Sequence, residues 1–365
     1  MNEGISNRQM VFILLLTMTA VTIVSLPSTM AEAAGVGAWF VLLIASVFYA
    51  AAAHIIVSLN KMFHGEVLFD YSARLIGKGG ACVLGVFYLL YFTLISSYLC
   101  AGMANILVTN FFVKTPAWAT ILIGIPFYAY TAYKGITNIG RMFEIIGFFF
   151  IVAAVSVHIV MMFQGKVENI LPLFIPEDTA LYLKALPSTI ISFLGIEVLT
   201  LTPIASGCRN KAPRTAFFAV LGIGLFYVLN VETSVMMIGI NEVQNENNAL
   251  ISAIRQLQIP PLDFLERLDI LYLTMGFMGL FAAKTIIVAA IVEYACKLFR
   301  RAGRVWVVIA ACAAVFLIDL FLLKVNRLGK LFELFGTYAG NLAAVVIPAA
   351  LFVLAKVKKH ACKAG

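Results

Sequence analysis

Charge is scarce in this chain. Only 12% of its 365 residues are Asp, Glu, Lys or Arg, against 62% hydrophobic ones, and no hydrophilic domain, Ser/Gly linker or low-complexity tract separates the apolar stretches. A soluble domain cannot hide that much apolar surface, because its outside must still be covered by polar groups. The bilayer is the solvent that fits this composition. Cysteine chemistry is also missing: Cys82, Cys100, Cys208, Cys296, Cys312 and Cys362 form no CxxC pair and mostly sit in apolar runs, as reduced packing residues do. His54, His64, His158 and His360 show no HExxH or comparable ligand spacing, so neither a metal nor another cofactor is implied. No nucleophile–base pair or phosphate loop stands out, and an enzyme is not indicated.

What the chain has is apolar length. A membrane-spanning helix needs about 20 apolar residues, and ten segments meet or approach this: roughly 10–33, 37–59, 81–110, 117–133, 142–163, 185–206, 215–239, 267–297, 304–324 and 332–355. The net charge of +8 would point to nucleic acid in a soluble protein. Here Lys and Arg crowd instead into short connections on the N-terminal side, such as Arg209, Lys211 and Arg214 or Lys297, Arg300, Arg301 and Arg304. That bias places both termini in the cytoplasm and makes the lipid bilayer, not nucleic acid, the partner. Ala31-Glu32-Ala33 imitates a signal-peptidase site, but the run before it is longer than a signal core and has only Arg8 ahead, so it reads as a retained span. Residues 61–79 alternate apolar and charged positions at near-helical spacing, which predicts an amphipathic helix on the inner face.

Two of the runs contain a proline among hydroxyl residues: Ser25-Leu26-Pro27-Ser28-Thr29 in the first and Thr200-Leu201-Thr202-Pro203 in the sixth. Proline lacks an amide hydrogen and clashes with the preceding turn, so it frees carbonyls where no water can satisfy them. One such residue is explained by a kink healed by neighbouring hydroxyls; two, five spans apart, point to a site. Because five is odd, a second group of five spans enters the membrane with reversed polarity. The expected fold is therefore an all-α integral membrane protein of ten transmembrane helices, a 5+5 inverted repeat with broken helices 1 and 6. The whole chain, 1–365, reads as one domain, with repeat one about 10–163 and repeat two about 185–355. Half-helix N-termini would meet a ligand carboxylate and freed carbonyls an ammonium, which suits an amino acid.

Charges deep in the apolar runs are functional candidates by default. Glu197 lies mid-span in Gly195-Ile196-Glu197-Val198-Leu199 and Lys284 in Phe281-Ala282-Ala283-Lys284-Thr285. Either they neutralise one another or bond loose carbonyls, or they serve ion or proton coupling. A sharper expectation puts the Lys284 ammonium between spans one and eight, where related folds hold sodium. In span three Ser97 and Tyr98 are packing residues that can also line a pocket wall, and Asn230 with Glu232 can form a proton relay.

Several strings then resemble a known family: Ile5-Ser6-Asn7-Arg8-Gln9 before span one, the Ile23 to Pro27 break, Leu171-Pro172-Leu173-Phe174, FLGIEVLTLTP from Phe193 to Pro203, and ERLDILYLT from Glu266 to Thr274. Together they are similar to the B subunit of spore germinant receptors, over essentially the whole chain. The resemblance implies a ten-span member of the amino acid–polyamine–organocation superfamily in the inner membrane of bacterial spores. It implies a receptor for small nutrients, usually amino acids, working with an A subunit and a lipoprotein C subunit. By matching motif, the ligand would lie against Val24, Ser25, Leu26, Pro27 and Ser28 at the first break and Gly195, Ile196, Glu197, Leu199 and Thr200 at the second, beside Ser97 and Tyr98. The alternative is a proton-coupled amino acid permease using the same pocket.

Overall fold

The computed structural model describes residues 4–63, 66–110, 114–246, 248–257, 268–299, 301–323 and 329–361, and they are helical almost throughout. Glu266 and Arg267, which open the ERLDILYLT string, lie outside them. α1 (Asn7–Thr22) and α2 (Leu26–Ala34) are two pieces of one interrupted run, followed by α3 (Ala38–Met62), α4 (Leu68–Asn110), α5 (Ala117–Lys134) and α6 (Ile136–Gln164). A stretch of short pieces comes next: α7 (Thr179–Lys184), α8 (Ile190–Phe193) and a 3₁₀ helix, Ile196–Leu201. Then come α9 (Ala212–Ile238), the short α10 (Ile240–Asn245) and α11 (Ala249–Arg255), α12 (Leu268–Leu298) and α13 (Arg304–Leu323). α14 (Gly329–Asn341), a π-helical turn over Leu342–Val346, and α15 (Ile347–Ala361) complete the chain.

Among the described residues, 7 stretches are long and apolar enough to cross a membrane: Leu26–Met62, Leu68–Ala104, Ile136–Gln164, Ala212–Ile238, Tyr272–Leu298, Arg304–Leu322 and Phe335–Lys358. Three segments expected to span are not among them. α1 stops at 16 residues, α5 carries Tyr128, Tyr130, Tyr133 and Lys134, and residues 186–201 are split into short turns. The amphipathic helix expected over 61–79 is also shorter: Lys61 and Met62 end α3, and the piece beginning at Leu68 ends at Gly77, whose φ of +83° only glycine adopts without strain. Its apolar face, Leu68, Tyr71 and Leu75, is buried, while Asp70 pairs with Lys297 at 2.7 Å and Arg74 with Glu66 at 2.5 Å.

The helices pack around a single core, with α3 lying along α9, α4 along α12, and α1 wedged among α6, α9 and α12. The N-terminus is tied down. Ser6 and Gln9 form a reciprocal capping box on α1, which accounts for the Ile5–Gln9 string. Just before it, Ile5 N–H donates to Pro203 O at 2.8 Å and Ala205 N–H to Ile5 O at 3.1 Å, a parallel bridge between residues 5 and 204.

Both expected breaks exist, but neither lies at its proline. In the first run the helix lapses at Ile23–Ser25 and restarts at once, leaving Pro27 in the first turn of α2, where its missing amide is no loss. In the second, α8 ends at Phe193 and the chain turns through Leu194 and Gly195, at φ +118°, before the 3₁₀ helix begins. Pro203 comes after that helix, in the extended segment bridged to Ile5. A left-handed glycine reverses the chain more sharply than proline can, so Gly195 makes the second break.

Each interrupted segment is held by an asparagine from a neighbouring long helix. Asn230 of α9 donates its Nδ2 to Ile23 O at 2.8 Å, and Asn60 of α3 donates to Leu199 O at 2.7 Å. Both asparagines are buried. An unmade hydrogen bond at a buried carbonyl costs about 1–3 kcal/mol. Asn60→Leu and Asn230→Leu are each expected to lower the thermal unfolding midpoint of the detergent-purified protein, and Ser156→Ala, which removes an exposed intrahelical bond, to leave it unchanged. Equal midpoints for all three variants would remove the asparagines from this account.

Candidate functional site

The two broken segments touch. A Cβ built on Gly195 would lie 3.1 Å from Thr17 Oγ1 and from the Met18 backbone nitrogen, so only glycine lets this turn press against α1. The amide left free at the turn is captured locally: Gly195 N–H donates to Glu197 Oε2 at 2.7 Å. The other carboxylate oxygen, Oε1, accepts the phenol of Tyr91 from α4 at 2.8 Å. Glu197 is 1% exposed and lies in the first turn of the 3₁₀ helix, where it takes the amide of the cap residue Gly195 and where negative charge is favourable. It is not paired with Lys284. The rest of the turn is satisfied by Thr200, which donates to Glu197 O at 2.6 Å, and by Tyr227, which donates to Ser192 O at 2.8 Å.

A cavity of about 30 Å³ lies at this junction. Thr17 of α1, Tyr98 and Leu99 of α4, Gly195 and Glu197 of the break, Ala283 and Ile287 of α12 and Gly336 of α14 line it. Among the sequence-derived candidates, Tyr98, Gly195 and Glu197 are thus brought together. The others do not line it. Val24 and Ser25 are half-buried and Leu26 and Pro27 are buried, while Ser28 is turned to the far end, donating to Glu246 O. Ser97 bonds Thr93 O in its own helix, and buried Ile196, Leu199 and Thr200 form the body of the 3₁₀ helix.

Polar contacts tie the helices together at both ends of the bundle. At the end carrying residues 28–37, Gln244 donates to Ala31 O at 2.9 Å and Trp39 to Leu173 O at 2.7 Å, so the Leu171–Phe174 string covers the start of α3. At the other end a polar cavity of about 550 Å³ is lined by Leu201 and Pro203 and by the ion pairs Asp70–Lys297 and Glu293–Arg304. Arg8 pairs with Glu144 at 2.9 Å beside it.

Lys284 departs from two of the expectations made of it, the pairing with Glu197 and the place between spans one and eight. Its Nζ lies 2.5 Å from Asp319 Oδ2 of α13 and 5.7 Å over the ring of Tyr128 of α5. Ala283 and Ile287, on the adjoining face of α12, are the residues turned toward Thr17. The ammonium therefore does not sit between α1 and α12, and it neutralises Asp319 instead of Glu197. Sequence reasoning missed Thr17 and Asn60, and although it singles out Tyr91 among the polar residues of span three, it did not foresee its bond to Glu197 or this use of Asp319; the signal for the last was a second mid-span charge needing an opposite partner. Among the described residues no group of three or more His, Cys, Asp and Glu is placed to hold a metal ion.

Comparison with known proteins agrees with this architecture. Mhp1, a nucleobase-cation-symport-1 family transporter solved in a closed conformation with bromovinylhydantoin bound, superposes with a TM-score of 0.60 over 91% of this chain and 77% of its own, at 15% identity. That likeness establishes a transporter-type fold. Spore germination protein YndE of Bacillus subtilis (strain 168) is 26% identical over 285 residues, 76% of each chain. Residues 4–327 match the spore permease family of spore germination proteins, and with its long apolar helices this chain is a multi-pass membrane protein belonging to that family.

Proposed function

We propose that this chain is the nutrient-sensing subunit of a spore germination receptor, binding an amino-acid-like germinant where the two broken helices meet. The observation that carries the reading is the contact between the turn at Gly195 and Thr17–Met18, which borders a cavity with Glu197 at its wall. In this reading the chain is one domain of ten spans. Repeat one, about 10–163, and repeat two, about 185–355, are related by inversion, so that Asn60 of the second span holds the sixth, while Asn230 of the seventh holds the first. The end rich in Lys and Arg faces the cytoplasm, by the positive-inside bias, and the membrane is that of the spore. A and C subunits are the partners that read the change.

The cavity size decides how a ligand acts. About 30 Å³ admits little more than a water, whereas small-molecule sites run to about 300–1,000 Å³. The packing described is thus a closed state, and a nutrient binds only an expanded one. A ligand shifts such an equilibrium by its preference for one state over the other. Occupancy then moves the Gly195 turn away from α1, and Val24 to Ser28, Ile196, Leu199 and Thr200 flex with it. Glu197 meets the ligand ammonium, while Tyr98 and Thr17 offer hydroxyls. The alternative, a proton-coupled amino acid permease with Glu197, Lys284 or Glu232 carrying charge, uses the same cavity. The match to a transporter fold is the observation that favours it.

Gly336 gives a clean test of the pocket, because a Cβ there would meet only Ile95, at 3.9 Å. Gly336→Leu is expected to abolish the germination response to nutrient while the protein still inserts and accumulates in the membrane. An unchanged dose–response curve would place the ligand elsewhere. Sensor and permease separate in proteoliposomes holding the chain alone. The sensor reading expects no concentrative uptake of a radiolabelled amino-acid panel with or without a proton gradient, and gradient-driven accumulation would establish the permease instead.

A further inference from the structure

On the far side of the α4–α12 pair lies a larger cavity, about 300 Å³, walled by Cys100, Met103 and Ala104 of α4, Ile121 and Tyr128 of α5, and Phe281 of α12. Lys284 supplies its one charged group. The two cavities stand back to back: Leu99 and Ala283 line the first, and their chain neighbours Cys100 and Lys284 line the second. We propose that this second cavity is a binding site for a small neutral apolar compound bearing one oxygen that accepts a hydrogen bond, with the Lys284 ammonium as donor.

Size sets the first limit. An apolar cavity of about 150 Å³ holds benzene, so a space twice as large takes a single ring with a short substituent. The walls set the second, since apart from Lys284, Thr120, the Cys100 thiol and the Tyr128 phenol they are hydrocarbon, and such a space is dry. Electrostatics sets the third. Lys284 and Asp319 are both 1% exposed, and their pairing leaves no net charge. A carboxylate guest would have to shed its water and then face Asp319 as well as Lys284. A neutral carbonyl oxygen meets neither obstacle. The ammonium has three N–H donors; Asp319 Oδ2 accepts one and the Cys100 thiol lies against the pair, which leaves a donor for the guest. Entry is lateral: Ile123 and Phe127 on the rim are 69% and 58% exposed, so a compound dissolved in the bilayer reaches the cavity without crossing either end of the bundle. An occupant would press on the same helix pair that walls the first cavity.

A buried lysine–aspartate pair is weak evidence for stability, since replacing both charges by apolar residues of similar size is often neutral or stabilising. Its presence beside an open apolar space is what a binding role explains.

The test uses the full chain in phosphatidylethanolamine–phosphatidylglycerol nanodiscs and fluorine NMR with two probes of similar shape, 4-fluoroacetophenone and 4-fluorocumene. The ketone is expected to bind saturably and about tenfold more tightly than the hydrocarbon, the difference a hydrogen bond to a charged donor supplies. Ala104→Phe and, separately, Ile121→Trp fill the cavity and should abolish saturable binding of both. The double variant Lys284→Met with Asp319→Leu should keep the hydrocarbon's affinity and lose the preference for the ketone. Absence of saturable ketone binding to the unaltered chain, as a lipid chain lodged in the cavity would also produce, overturns the proposal. So does equal affinity for the two probes, which needs no variant to fold, or undiminished binding in both filled variants. None of these readings depends on where the nutrient binds.

Discussion

A helix that stops inside a membrane leaves amide and carbonyl groups with no water to receive them, and the arrangement of this protein follows from where those groups find partners. At the Gly195 turn the amide is taken by Glu197 two residues on, so the break brings its own acceptor. One carbonyl in each interrupted segment, Leu199 O and Ile23 O, accepts from Asn60 and Asn230, which are carried by α3 and α9, the two helices packed along one another. The broken pieces are therefore fastened to a common pair of continuous helices. Moving one break without disturbing the other requires exchanging one of these hydrogen bonds for another partner, such as a ligand atom.

Glu197 concentrates this conflict. By taking the Gly195 amide it stabilises the turn, and Tyr91 fixes its second oxygen. Both oxygens of this buried side chain are thus engaged, and among the described residues it forms no ion pair; in the proposed reading it is the group that meets a ligand ammonium. A group meeting either oxygen from outside would compete with the Gly195 amide or with the Tyr91 phenol. A competition of this kind gives a ligand the differential affinity for two packings that a switch needs.

The fold class was legible because apolar length is written residue by residue, and the paired interruptions were legible because prolines among hydroxyl residues stand in the first and sixth runs. The position of each break was not. Pro27 marks the restart of a helix and Pro203 its exit, while Gly195 makes the second turn; a glycine at positive φ cannot be told from a packing glycine until the neighbouring Thr17 is in view. Tyr98, Gly195 and Glu197 came from the motif and meet at the cavity, but Thr17 sits in a stretch with nothing to mark it. The pairing of Lys284 with Asp319, 35 residues away, depends on the rotation of α12, which apolar periodicity fixes poorly when the helix is surrounded by apolar neighbours on every side.

The two ends are held differently. The end near Ala31 is held by neutral hydrogen bonds from Ser28 of α2, Gln244 of α10 and Trp39 of α3 to single carbonyls. The end near Ile5 is held by a two-way backbone bridge and by ion pairs that join α4 to α12 and α1 to α6. Parting the first end breaks hydrogen bonds to single carbonyls, one of them on the buried Ala31; parting the second breaks the bridge between residues 5 and 204 and ion pairs between long helices.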